Sequence, residues 1–151
     1  MDFAFDATIK NRIILNSFLE KYSLEQLNLV PEGFRNNMFW NIAHTVVTQQ
    51  LLIYNFSGLP MMVSDEMVAK YRKGTKTEHN ASQAEVNEIK ALLFTTIEKT
   101  KEDYNKSIFK LYKEYTVSTG STLTKVEDAI TFNNFHEGIH LGYILALKKS
   151  L

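Results

Sequence analysis

The sequence predicts an all-α protein, a four-helix bundle of up-down-down-up topology with a long crossover between its second and third helices. Three observations carry this. Four long segments repeat apolar residues at helical spacing. Only two prolines and six glycines interrupt 151 residues. No stretch reads as a strand.

The first helix is expected over "DATIKNRIILNSFLEKY", where Ile9, Ile13 and Phe18 belong to the apolar stripe. Ser23 and Pro31-Glu32-Gly33 mark the connection that follows. The second helix is expected from about Asn36 to Phe56, with Trp40, His44, Val47 and Leu51 facing inward. It stops at "SGLP", where Gly58 can cap and Pro60 cannot continue. Ser64 can open a short helix over "SDEMVAKYR", and "KGTKTEHN" is loop. Ser82 with Glu85 forms a capping box for the third helix, which is expected to reach Tyr112. "VSTGST" is a turn, and Thr124 with Glu127 suggests a second capping box for the fourth helix. The first and third links are short. The second, about 25 residues, is long enough to return along the bundle, so the second and third helices can run parallel.

Composition excludes several classes of function. One domain spanning 1–151 is expected from the length. Lys+Arg and Asp+Glu both number 17, so nothing draws the chain generally toward nucleic acid or an anionic membrane. No apolar run approaches the roughly 20 residues that span a bilayer. "MDFAFDATIKNR" lacks the pattern of a signal peptide, and a cytoplasmic location is expected. Cysteine is absent, so any metal must be held by histidine or oxygen, and any reacting thiol must arrive as substrate.

Near the C-terminus, "FHEGIHLGYILALKKSL" contains H-E-x-x-H at His136 to His140. In zinc proteases that pattern supplies two ligands and a general base. A third ligand must follow, but Ala146 stands at the extended motif's third histidine, Tyr143 at its glycine, and no Asp or Glu follows His140. A carboxylate-bridged di-iron site needs a second E-x-x-H, and "NIAH" of the second helix has no carboxylate. Neither reading stands.

His136 and His140 share one helical face, which Phe132, Tyr143 and Leu147 continue. His44 lies roughly 12 Å below the start of its helix and His140 roughly 14 Å before the end of its own. In up-down-down-up order those ends coincide. His44, His136 and His140 are therefore candidate ligands of one mononuclear site with an open fourth position, suited to zinc, nickel or iron. His79, in the polar linker, is read as solvated.

"FWNIAHTVVTQQLLIYNFSGLP" and "HEGIHLGYILALKK", taken together, resemble the DinB/YfiT-like superfamily of metal-dependent enzymes over nearly the whole chain. The resemblance implies an up-down-down-up bundle with metal on His44, His136 and His140. It also implies homodimers, a small-molecule substrate, and activities that include low-molecular-weight-thiol-dependent transfer, maleylpyruvate isomerisation and hydrolysis. A bound metal can acidify a thiol cosubstrate or a water, and both chemistries use the same open position. A non-catalytic binding or stress-response module on the same bundle is the alternative, as is a bundle with a vestigial site.

Around these ligands, Glu137 is a candidate general base or histidine-orienting residue, set against packing on a neighbouring helix. Thr48 and Asn133 are candidate hydrogen-bonding groups, with Gln49 and Gln50 less direct. Trp40 and Tyr143 read as core, and Gly138 with Gly142 as a site of close helix packing. The basic "KYRKGTK" reads as a solvated face, able to hold acidic groups only if it folds over the bundle mouth.

Overall fold

The computed structural model describes residues 1–151 and is mostly helical. Its elements are α1 (Asp2–Lys21), α2 (Leu24–Asn28), α3 (Met38–Gln50), a π-helical turn (Leu51–Asn55), α4 (Asp65–Tyr71), α5 (Gln83–Asn105), β1 (Tyr115–Thr116), β2 (Thr122–Leu123) and α6 (Val126–Leu147), with a closing 3-10 turn (Lys148–Ser150). No helix is long and apolar enough to cross a membrane.

Side-chain chemistry sets most helix starts. Ser23 and Gln26 form a capping box for α2, in a stretch that reads as plain connection. Asn37 accepts from the Trp40 amide to open α3, and Ser64 does the same for α4 from Met67. The expected Ser82–Glu85 box opens α5. The expected Thr124–Glu127 box does not form: Lys125 is the cap residue of α6, the Thr124 amide and hydroxyl bond Asp128, and Glu127 accepts from Tyr104.

The third long helix is shorter than its periodicity suggests. It ends at Asn105, because Ser107 turns into the left-handed region at φ 55° and carries the chain away. The residues beyond it fold back over the end of the α3 segment. Tyr112 donates to the Leu52 carbonyl at 2.9 Å, the Lys113 amide reaches the Phe56 carbonyl at 2.7 Å, and Phe109 packs edge-on against Tyr54. There β1 and β2 pair antiparallel around Gly120, whose φ of +87° makes the turn. Periodicity misses this hairpin because its strands are two residues each.

Among the long helices, α1 packs against α5 and α6, and α3 against the same two. Buried apolar residues form two clusters, one including Leu15, Met38, Val47, Leu93 and Ile144, the other Phe5, Ile53, Ile97 and Ile130. Buried polar residues stand between them on α1 (Thr8, Arg12), α5 (Thr96) and α6 (Asn133, Glu137), with Gln49 and Gln50 at the corresponding point of α3. Ile13, expected in the stripe of α1, is exposed. So is Tyr143, beside Phe135 and Ile139 on the outer face of α6. Gly138 and Gly142 face open space rather than a tightly packed helix.

Candidate metal centre

Three imidazoles meet where α3 and α6 face each other. Their nearest ring nitrogens all lie within 4.8 Å of one another. His44 is seven residues into α3, behind Trp40, whose indole stacks on it at 4.6 Å between centroids. His136 and His140 sit one turn apart on α6, their rings 4.6 Å from each other, and His140 is also 4.6 Å from His44.

Backbone and side-chain acceptors fix two of the rings. His44 Nδ1 lies 2.5 Å from the Tyr71 carbonyl, which can only accept, so Nδ1 carries the proton. His140 Nδ1 lies 2.9 Å from Asn41 Oδ1, and Asn41 is held by its own donation to the Asn37 carbonyl. Both rings therefore turn a bare Nε2 inward. His136 Nε2 is 3.2 Å from His44 Nε2, and His136 Nδ1 is buried without a partner.

Burial holds all three imidazoles neutral. It lowers the His44 pKa against the opposing pull of the Tyr71 carbonyl. His136 is driven to about 2 by burial and by repulsion from His140 and His44, and His140 to about 3 by burial and by His44. Neutral nitrogen is the form that ligates a cation. Ligands at ~2.0–2.1 Å in tetrahedral array stand ~3.3 Å apart, close to the 3.2 Å between His44 and His136 Nε2. With all three nitrogens within 4.8 Å of one another, the donor set could hold a metal ion.

Above the cluster lies a cavity of about 420 Å³. Leu51, Leu52 and Phe56, at the π-helical turn, form one wall. Such turns are often found at functional sites, and this one begins seven residues after His44. Phe132 and Ile139 of α6, Tyr115, Val117 and Ser118 of the hairpin, and Lys73 and Gly74 of the linker also line it. Trp40 both lines the cavity and is buried, its indole N–H donating to Thr75 and the Lys70 carbonyl.

Among the other candidates, Thr48 lines the cavity with its hydroxyl 3.3 Å from His44 Nε2. Gln49 and Gln50 instead bond inward, to Thr100, to each other and to the Met62 amide. Glu137 is fully buried and turned about 100° around α6 from His136, toward α1. Arg12 reaches its Oε1 through Nε at 3.1 Å and NH2 at 2.8 Å, Asn133 donates to the same oxygen, and Asn11 donates to Oε2. No histidine is among its partners. Arg12 NH1 is taken up by the Leu93 carbonyl and Thr96. Hydropathy gives no hint of this network, since Arg12 falls on α1 like any surface cation. His79 is exposed in the linker, as expected.

Fold and site together define a helical protein whose histidine triad, buried at His44 and partly buried at His136 and His140, opens on an apolar cavity, an arrangement compatible with metal binding. A family model described as the DinB superfamily matches residues 7–144, and the chain belongs to that superfamily. No curated protein matches the chain.

Proposed function

We propose that the protein is a metal-dependent enzyme in which His44, His136 and His140 hold one divalent ion and the cavity above admits a thiol and its electrophile. The observation that carries this is the convergence of three neutral imidazoles beneath a 420 Å³ apolar cavity. A divalent ion held there supplies acidity to a thiol or a water at its open position.

The cavity lining supports the thiol reading over the water one. No carboxylate lines the cavity, and Glu137 is committed to Arg12, Asn11 and Asn133. Ester or amide hydrolysis needs a proton delivered to the leaving group, and the lining offers no carboxylic acid for it. Thiol transfer to a halide or similar carbon electrophile does not. A sulfur–carbon bond forms, the leaving group departs with its electron pair, and the thiol proton passes to water. Tyr71 and Asn41 orient the imidazoles, while Leu51, Leu52, Phe56 and Phe132 exclude water. Glu137 on this reading is a structural anchor rather than a base.

The up-down-down-up order belongs to the same proposal. Thr8 with Asn134 and Arg12 with Glu137 support parallel α1 and α6. Arg12 with Thr96 supports an antiparallel α5, together with Glu20 and Lys90. Gln49 with Thr100 and Tyr54 with Asp103 support parallel α3 and α5.

Zinc-loaded protein is expected to consume a low-molecular-weight thiol in the presence of an aryl or alkyl halide. His136→Gln should fall to the uncatalysed background. Ester cleavage without thiol consumption would assign hydrolysis instead. A metal-replete protein turning over neither class would leave only the binding module.

A further inference from the structure

The cavity's charge is one-sided. Its three histidines are neutral, and the one charged side chain in its lining is Lys73. Within the basic linker stretch, Lys70 is neutralised by Glu66 and Glu85 at 2.8 and 3.0 Å, but Lys73 makes no ion pair. Its position is set locally: α4 ends at Tyr71, whose carbonyl holds His44, and Gly74 turns at φ +93°. The same short segment thus orients one imidazole and places an unpaired ammonium at the cavity. The same lining holds aromatic surfaces, Phe56 stacked on Tyr115 at 4.5 Å and Phe132 on α6.

We infer that this cavity takes a carboxylate-bearing ligand with an apolar, preferably aromatic, body, its anion on Lys73 and its body between Phe56, Tyr115 and Phe132. The assignment rests on the proposed metal-dependent function for what happens at the histidines, and on the cavity alone for who enters. With no lining carboxylate to offset it, the unpaired ammonium attracts an anion, and the low-dielectric walls focus its field. Amines meet only repulsion. Neutral isosteres keep the apolar contacts and lose the ion pair.

The test uses the chain's only tryptophan, which stacks on His44 at the cavity floor and reports occupancy by its fluorescence. 3-Phenylpropionate, 3-phenylpropionamide and 3-phenylpropylamine are titrated into the full chain, with metal content measured by elemental analysis on every sample. In metal-free wild type the carboxylate is expected to bind more tightly than the amide, and the amine least. Lys73→Met should weaken the carboxylate by roughly two- to fivefold, the range for a solvent-accessible ion pair, and leave the amide unchanged. Lys73→Arg should retain the preference. Equal binding of carboxylate and amide in wild type, a preference that survives Lys73→Met, or no binding of any probe would overturn the assignment. Failure of the metal reading shows separately, as a sample that takes up no ion whatever its probe affinities.

Discussion

Glu137→Gln is expected to lower stability by about 3–5 kcal/mol while leaving the chain able to bind metal. Arg12 and Glu137 are both fully buried, and their pair ties α1 to α6 in the polar layer between the two apolar clusters. Removing the negative charge leaves the buried guanidinium without a counter-ion, bonded only to neutral oxygens of Leu93, Thr96 and the new amide. The cost is the desolvation of an unpaired cation, not the loss of one hydrogen bond. Arg12→Met with Glu137→Leu removes both charges and should recover much of the loss, since a buried pair replaced by apolar groups is often near neutral. Urea denaturation of the three proteins measures this. A single Glu137→Gln within 1 kcal/mol of wild type would mean that Arg12 finds water or another anion. Loss of metal with an intact fold would restore Glu137 to the site.

His44→Ala is expected to cost more in metal affinity than the roughly 10–100-fold lost when only an outer partner of a ligand is removed. His44 is the single ligand contributed by α3; without it His136 and His140 leave two donors on one helix face. The fold should persist, because α3 is anchored by Phe39, Ile42, Val46 and Val47, all at most 2% exposed. Competition titration against a chromophoric chelator gives the affinity, and far-ultraviolet circular dichroism shows the helices. Wild-type affinity in His44→Ala would remove the cross-helix site.

Much of this could be read from the sequence because helical periodicity and caps are local. Ser64 and Ser82 sit where their side chains close an orphaned amide, and Gly58 takes a φ of +68° after the second long helix, as "SGLP" suggests. The histidines were legible for a different reason. An i, i+4 pair on one helix and a third at matching depth on another constrain each other without knowledge of packing.

What could not be read depends on contacts distant in sequence. Arg12 meets Glu137 across 125 positions, and either residue alone looks like a solvated charge. The end of α5 is set by Ser107 and by aromatic packing of Phe109, Tyr112 and Tyr115 on the π-helical turn, while the helical pattern of the sequence runs on past it. The apolar stripes take in Ile13 and Tyr143, yet both side chains are about half exposed, with Tyr143 edge-on against Phe34. Lys73 gained its place at the cavity only through the conformation of the linker.

The most direct test of the metal centre is the metal content of the purified chain, prepared without a histidine tag or chelator, beside His140→Ala. About one zinc, nickel or iron per chain in wild type, lost in His140→Ala, is the result predicted by three neutral imidazoles whose ring nitrogens lie within 4.8 Å of one another. No uptake of any of the three, even after reconstitution, would contradict it and leave "HEGIH" as the packed face of α6.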